Sequence, residues 1–217
     1  MRLDDFPLRI CLTRKERHDR RLALIPRLCA AGIECFEWFQ AIEGLREPRG
    51  FLSNGKRSVA LAKRLILRVA ARRKAPHLFF LEDDVVFHAE FAVRLAALDL
   101  PEDWGVFYFG CQHVEPPQPV RPGLVRVARA LDAHAVVIRA PHYLAARAAM
   151  RGPGKGAQGA LCSDVLFADL HQRIPTYAAF PNLAWQAVGR SDLARRSYSN
   201  YDADGSQKEF RHLLTHL

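Results

Sequence analysis

The sequence predicts an α/β domain whose central sheet is mostly parallel and is flanked by helices. Short apolar runs typical of buried strands alternate with longer segments of helical periodicity. Glycine and proline separate many of these segments. With 217 residues, 49% of them hydrophobic and 25% charged, the chain has the composition of one globular domain with a full core.

The first predicted unit is a strand, a helix and a second strand. Residues 8–12 form a short apolar run, and apolar positions at helical spacing follow over 16–31 until Gly32 ends the helix. Residues 33–39 are again strand-like. A strand–helix–strand unit of this kind is typical of a parallel sheet.

The rest of the chain continues the alternation. Further helices are predicted from Ser58 to Lys74, at 88–98, after Pro141 and at 161–173. Further strands are predicted at 77–81, 104–111, 124–130, 133–139 and 175–180. Loops are predicted at 45–57 and, rich in proline, at 116–122. We expect one domain over residues 1–180. Residues 181–217 are predicted as a mostly irregular C-terminal tail that folds over the site and ends in a helix near 208–217.

Three consecutive acids, Glu82, Asp83 and Asp84, follow the apolar run Phe79–Leu81. A carboxylate at the end of a buried strand needs a partner charge, and a divalent cation is the simplest partner for several carboxylates. Hard oxygen ligands suit Mg²⁺ or Mn²⁺. In extended backbone Glu82 and Asp84 point the same way and Asp83 points away, which predicts Glu82 and Asp84 as the metal ligands. The alternative is a solvated strand end that caps the next helix.

A basic segment, residues 13–21, follows the first strand. A helix N-terminus after a strand offers free backbone N–H groups, and Arg14 and Arg17 add fixed positive charge. The segment therefore predicts a phosphate site, with a solvated first helical turn as the alternative.

Two further segments carry candidate polar groups. Asp164 lies near the start of a predicted helix, where a carboxylate serves either as a general base or as a helix cap. Residues 181–186, with Ser191 and Asp192 beyond them, are either part of a site or surface loop.

The formal net charge is +9, which suits an anionic partner such as a nucleotide phosphate, nucleic acid or an acidic membrane surface. The five cysteines form no Cys-x-x-Cys pair, which is typical of reduced thiols in a cytosolic protein. The start of the chain is acidic and contains Pro7, unlike a signal peptide, and no apolar run reaches the roughly 18 residues of a membrane span. We expect a cytoplasmic protein that contacts the inner face of a membrane.

Several common catalytic motifs are absent from the sequence. The glycine-rich segment at 152–159 lacks the spacing of a phosphate loop, and His212 and His216 lack the glutamate of the zinc-protease motif. No Gly-x-Ser-x-Gly elbow and no Gly-x-Gly-x-x-Gly after a strand occurs.

The order of the remaining motifs resembles a family 25 glycosyltransferase of the lipooligosaccharide or lipopolysaccharide type, over about residues 8–195. The matching segments are the first strand with its Arg-rich turn (10–17), the Gly-Ile step at 32–33, the Ala-hydrophobic-x-Gly segment at 41–44, the Leu-Glu-Asp-Asp motif at 81–84, the small-residue strand at 133–140, Asp164, and the Pro…Gln…Ser-Asp pattern of Pro181, Gln186, Ser191 and Asp192. The chain departs from the family at 53–58, where it has Ser-Asn-Gly-Lys-Arg-Ser in place of a Gly-Cys…Ser-His segment.

This resemblance implies a GT-A-like fold and transfer, with inversion, of a sugar from a nucleoside diphosphate-sugar, usually a UDP-sugar, to a saccharide, glycolipid or protein acceptor. It implies Mn²⁺ or Mg²⁺ at Glu82 and Asp84, and Asp164 as the catalytic base with Asp192 as second choice. The implied nucleotide-sugar site contains Thr13, Arg14, Arg17, Ile42, Glu43, Gly44, Asp83 and Gln186. The alternatives are a metal-dependent phosphohydrolase or nuclease, and a basic nucleic-acid-binding module, which leaves the acidic triplet unexplained.

Overall fold

The computed structural model describes residues 1–152 and 161–187, together with the backbone pairing of residues 189–190 and 197–198. The helices are α1 (His18–Ala30), α2 (Asn54–Arg72), α3 (Phe91–Ala97), α4 (Tyr143–Ala149) and α5 (Ser163–Ala168). The strands are β1 (Leu8–Thr13), β2 (Glu37–Gln40), β3 (His77–Glu82), β4 (Val85–Phe87), β5 (Val106–Tyr108), β6 (Gln112–His113), β7 (Gln118–Arg121), β8 (Leu124–Arg126), β9 (Ala130–Leu131), β10 (Ala135–Arg139), β11 (Thr176–Ala179), β12 (Ala184–Gln186), β13 (Gly189–Arg190) and β14 (Ser197–Tyr198).

Eight strands form the central sheet in the order β2-β1-β3-β10-β5-β11-β8-β7. The α/β class and the central sheet between helices are confirmed. The sheet is mixed rather than mostly parallel, because only the pairs β1–β2, β1–β3 and β5–β11 are parallel. Strand β10 enters antiparallel between β3 and β5, a position set by long-range packing that no local pattern specifies.

Side chains on β3 alternate between two hydrophobic layers, because successive residues of a strand point to opposite faces. Leu78 and Phe80 pack into the layer that also contains residues of α2, α4 and α5. Phe79 and Leu81 pack into the opposite layer, together with residues of α1 and α3. The sheet is thus covered on both faces, and each acid after Leu81 is directed toward one of these two helical layers.

Several element boundaries differ from the sequence prediction. Helix α2 begins at Asn54 rather than Ser58, because Ser53 is its N-cap and accepts a hydrogen bond from the Lys56 N–H at 3.2 Å. The predicted proline-rich loop contains the strand β7, which is exposed at the edge of the sheet, where Pro119 interrupts no interior pairing. The helix predicted over 161–173 extends only over Ser163–Ala168.

Strand β12 lies in the predicted irregular tail and pairs antiparallel with β4. The start of β12 is bound to the residue that follows β5, because the Phe109 carbonyl accepts hydrogen bonds from the N–H groups of Leu183 and Ala184. Gly110 makes this contact possible, since a Cβ there would lie 1.7 Å from the Ala184 carbonyl oxygen. The close contact places Gln186, the last residue of β12, beside the acidic residues.

No helix in the described part of the chain combines the length and hydropathy that a membrane span requires. The predicted helix near 208–217 lies outside the described residues, as do positions 153–159 of the glycine-rich segment.

Candidate functional site

The candidate site lies where three parallel strands end. The register places Leu12 opposite Glu82 and Thr13 opposite Gln40, so β1, β2 and β3 reach their carboxyl ends at one edge of the sheet. Ligands of open α/β sheets bind at this edge. The chain turns at Asp83 and Asp84 before β4 begins, so the three acids lie on the rim of the edge.

Glu82 continues the alternation of Leu78 and Phe80 and points toward α2. There its Oε1 lies 3.1 Å from the Nζ of Lys63, and the same ammonium lies 3.2 Å from the Oδ1 of Asp164. The Lys63 ammonium also donates to the Ser163 hydroxyl and the Ala133 carbonyl, both at 3.4 Å. One buried cation thus holds two carboxylates that are distant in sequence.

The charges of this cluster are strongly coupled. Burial raises the pKa of Glu82 to about 6, and although Lys63 opposes the rise, Asp164 and Asp84 add to it. Burial would also raise the pKa of Asp164, but the charges of Lys63 and Lys56 outweigh this effect and lower the pKa. Burial alone would lower the pKa of Lys63, yet the two carboxylates raise it. Asp164 and Lys63 are therefore both charged at neutral pH.

Asp83 and Asp84 converge on a second cation, Arg20 of α1. The Nη1 of Arg20 lies 3.1 Å from Asp83 Oδ1 and 2.9 Å from Asp84 Oδ2. Thr13, at the end of β1, donates its hydroxyl to the other oxygen of Asp83 at 2.7 Å. This network fixes Asp83 on the side of the sheet that α1 covers.

Burial raises the pKa of Asp84, and the charge of Asp83 adds to this rise. Arg20 and the Gln186 side chain both favour the charged form of Asp84 and lower its pKa against the effect of burial. The Asp84 Oδ1 is buried and has no hydrogen-bond partner among the described residues. Gln186 lies close by, because the Ala187 N–H donates to the Asp84 carbonyl at 2.7 Å and Gln186 pairs with Val85.

The arrangement of the three acids differs from the sequence prediction. Glu82 and Asp84 were expected to point the same way, whereas they contact different cations, Lys63 and Arg20. The reason is the turn at Asp83 and Asp84, because the two-residue alternation holds only in extended backbone. Their role as metal ligands stays a prediction.

The other predicted nucleotide-site residues line the same edge. Arg14 lies 3.7 Å from Glu16, and Arg17 lies 2.9 Å from Asp19, so both arginines form ion pairs within the first turn after β1.

The segment after β2 is fixed to β1 and α2. The Ala41 N–H donates to the Thr13 carbonyl at 2.8 Å, and the Ser58 hydroxyl donates to the Ile42 carbonyl. Glu43 and Gly44 follow at the same edge, and Gly44 has the positive φ of 73° that glycine accepts without strain. Asp192, the second candidate for the base, lies outside the described residues.

Sequence reasoning missed Lys63 and Arg20, the two cations that organise the acids. Lys63 had a readable signal, because it lies on the same helical face as the buried Ile66, Leu67 and Ala70. A lysine at an apolar position of an amphipathic helix predicts a buried ion pair. Arg20 lies within the basic segment 13–21, and only the three-dimensional packing of α1 distinguishes it from its neighbours.

Carboxylate oxygens are the ligand type that Mg²⁺ and Mn²⁺ prefer. No group of three or more His, Cys, Asp or Glu side chains in residues 1–152 and 161–187 is arranged to hold a metal ion. Asp84, whose buried Oδ1 accepts no hydrogen bond from the described residues, fits a cation that takes its other ligands from water and substrate phosphates, as Mg²⁺ commonly does. Glu82 is neutralised by Lys63 and fits only if the cation displaces that ammonium.

No protein-family model and no curated protein sequence matches this chain. Among solved structures, it resembles a glycosyltransferase involved in the glycosylation of the major capsid of PBCV-1, with a TM-score of 0.50 and 11% identity over 87% of this chain and 96% of that chain.

Two further solved structures are similar to a lower degree. A197 from STIV has a TM-score of 0.49 and 18% identity over 84% of this chain and 85% of its own. A mutant β-1,4-galactosyltransferase 7 from Drosophila, in complex with manganese, UDP-Gal and xylobiose, has a TM-score of 0.46 and 11% identity over 94% of this chain and 80% of its own. The similarity to the PBCV-1 glycosyltransferase confirms a GT-A-like fold.

Proposed function

We propose that the chain is a glycosyltransferase that moves a sugar from a nucleoside diphosphate-sugar to a hydroxyl group of a saccharide, glycolipid or protein acceptor. The observation that carries the proposal is the acidic turn Glu82–Asp84 at the carboxyl edge of β3, next to the basic start of α1, in a GT-A-like fold. A fold alone does not specify a reaction, but carboxylates that suit a divalent cation and arginines that suit a diphosphate favour this one.

The donor site is proposed at the edge formed by β2, β1 and β3. Thr13, Ile42, Glu43, Gly44 and Asp83 line it on the side of the nucleoside. Arg14 and Arg17, at 50% and 22% side-chain exposure, are proposed to bind the diphosphate. Gln186, carried by β12, offers an amide to the donor from the opposite rim.

A divalent cation, Mn²⁺ or Mg²⁺, is proposed at Asp84, with Glu82 as the second ligand. When bound, the cation neutralises charge that develops on the diphosphate leaving group. Arg20 holds Asp84 through its Oδ2, and the buried Oδ1 accepts no hydrogen bond from the described residues. The assignment of Glu82 requires the Lys63 ammonium to move toward Asp164, which it already contacts.

Asp164 is proposed as the base that takes the proton of the acceptor hydroxyl. The reaction with inversion breaks the bond between the sugar and the diphosphate as the acceptor oxygen attacks from the opposite face, and the proton moves to a carboxylate on that face. Lys63 keeps Asp164 ionised. The Asp164 side chain is 21% exposed, so an entering acceptor can reach it. Asp192 is the second candidate.

The test combines activity with ligand binding. The chain is incubated with a panel of nucleoside diphosphate-sugars, with Mn²⁺ or with EDTA, and both sugar transfer and free nucleoside diphosphate are measured. We expect transfer from one donor, a rise of the melting temperature with that donor and Mn²⁺ together, and loss of transfer in Asp84→Asn but not in the exposed control Asp99→Asn.

The rival functions give different products in the same assay. Nucleoside diphosphate or phosphate released without any sugar transfer favours a metal-dependent phosphohydrolase. Cleaved nucleic acid favours a nuclease, and salt-sensitive DNA binding with no turnover favours a binding module. Unchanged transfer in Asp84→Asn would refute the proposed site.

A further inference from the structure

The solvent side of α2 is strongly basic. Arg64, Arg68 and Arg72 recur every four residues and therefore lie on one side of the helix. The opposite side carries the buried residues Lys63 and Ile66. The helix contains no acidic residue over its 19 positions, so nothing within α2 balances these arginines.

Helix α4 extends the positive surface. It packs against α2, and Arg147 on α4, with Arg151 just beyond its C-terminal end, lies close enough to Arg64 for their charges to interact. Burial lowers the pKa of the Arg64 guanidinium, and the nearby charges of Arg151 and Arg147 lower it further. The segment 139–152 contains no acidic residue either. We refer to Arg64, Arg68, Arg72, Arg147 and Arg151, with Leu65 and Leu144, as the basic face.

The arginines of the basic face pair with no acidic side chain in the described part of the chain. Elsewhere on the surface Arg73, Arg94 and Arg121 each pair with a carboxylate. Within residues 1–152 and 161–187, no carboxylate forms an ion pair with any of the five arginines of the basic face, and the Arg64 Nε is buried without a hydrogen-bond partner. Like charges held together without counter-charge favour an external anionic surface.

Exposed leucines lie among these arginines. Leu144 is 70% exposed and Leu65 is 40% exposed, whereas Tyr143, the aromatic residue at the start of α4, is buried. Leucine beside arginine on helix surfaces is the composition of segments that lie in the plane of an anionic bilayer. Nucleic-acid sites instead use aromatic stacking or polar readout of bases, which these leucines do not provide.

We propose that the basic face docks on an anionic membrane surface, with its arginines near the lipid phosphates and Leu144 and Leu65 in the headgroup region. This goes beyond the proposed sugar transfer and does not depend on it. Lys63 lies on the far side of α2 from the basic face, and a helix is about 10 Å across. Docking would therefore hold the Glu82–Lys63–Asp164 cluster within about one helix diameter of the basic face.

The test is flotation of the full chain with vesicles of phosphatidylcholine alone and of phosphatidylcholine mixed equally with phosphatidylglycerol. We expect binding to the mixed vesicles only, weakened by added salt. The variant Arg68→Gln/Arg147→Gln/Arg151→Gln should lower the partition coefficient about 100-fold, because each basic residue near an anionic surface contributes about fivefold.

The matched control is Arg2→Gln/Arg126→Gln/Arg173→Gln, which removes the same charge from exposed positions off the basic face. It should reduce partitioning less than tenfold. Leu144→Asp should also weaken vesicle binding, and melting curves of all variants confirm that they fold. Equal losses in both triple variants, equal binding to the two vesicle types, or duplex DNA binding that depends on the three arginines while vesicle binding does not would each overturn the proposal.

Discussion

The Nζ of Lys63 lies 3.2 Å from the Oδ1 of Asp164, a residue 101 positions later in the chain. The same ammonium contacts Glu82 at 3.1 Å, and 8% of the Lys63 side chain is exposed. A helix, a strand end and a second helix are thus joined by one buried charge. This charge lowers the pKa of both acids against the effect of burial, and so links the stability of the fold to the chemistry of the candidate site.

Lys63→Met should lower the free energy of unfolding by about 2–3 kcal/mol, because it leaves two carboxylates without a counter-charge. The loss is expected below that of a fully buried pair, since Glu82 and Asp164 keep 24% and 21% side-chain exposure. Urea unfolding at neutral pH measures it. Arg68→Met, on the solvent side of the same helix, is the control and should change stability little.

Removing the whole cluster tests whether charge or packing is responsible. Lys63→Met combined with Glu82→Gln and Asp164→Asn should recover most of the stability, because no uncompensated charge remains. A triple variant as unstable as Lys63→Met would show that the lysine acts through packing of its side chain.

Sequence patterns were sufficient for the local elements around the site. The apolar run that ends at Glu82, the following acids and the basic start of α1 are all readable, because each depends on neighbours within a few residues. The position of Asp164 near a helix start was also predicted, and α5 begins at Ser163.

The partners of these residues were not readable from sequence. Strand order, and hence the antiparallel insertion of β10, depends on contacts between distant segments. The turn at Asp83 and Asp84 brings Asp84 to Arg20 rather than to the side of Glu82. The pairing of β4 with β12, directly after this turn, was also not predicted. Lys63 was the exception, since its apolar position on α2 carried the information.

Asp164→Asn should lower the rate of sugar transfer about 10²–10⁴-fold while donor binding persists, because an amide cannot accept the acceptor's proton. Transfer rates and donor-dependent melting shifts are measured together. Asp169→Asn, an exposed acid just after α5, is the control. If Asp192→Asn removes transfer and Asp164→Asn does not, the base is Asp192.

Gly110→Ala should destabilise the fold by about 2–4 kcal/mol, the range of severe steric changes in a core. A Cβ at this position lies 1.7 Å from the Ala184 carbonyl oxygen, so β12 must move and carry Gln186 away from Asp84. Gly44→Ala, where a Cβ meets no atom within 4 Å, should cost only the strain of its positive φ, about 1–2 kcal/mol. Thermal unfolding compares them, and equal losses would contradict the steric argument.

Two buried histidines should make the fold lose stability at pH values above those at which ordinary carboxylates titrate. Burial lowers the pKa of His113 from 6.5 to about 4. Burial, with Arg129 and His113, lowers that of His171 to about 4. The Ala130 N–H donates to His171 Nδ1 at 3.3 Å, so this nitrogen carries no proton in the fold.

Because both folded-state pKa values lie below 6.5, the unfolded chain binds protons first as the pH falls. The stability contributed by the neutral rings is complete above pH 6.5 and is lost between pH 6.5 and 4, by about 2 kcal/mol for each histidine at pH 5. Glu82 titrates in the same pH range with the opposite effect on stability, but it does so equally in the wild type and in histidine variants.

The measurement is therefore the difference in the slope of unfolding free energy against pH between the wild type and His113→Gln/His171→Gln. The double variant should have the shallower acid loss, and the exposed His18→Gln should follow the wild type. A slope unchanged in the double variant would mean that these histidines bind protons equally in the folded and unfolded states, and would contradict the prediction.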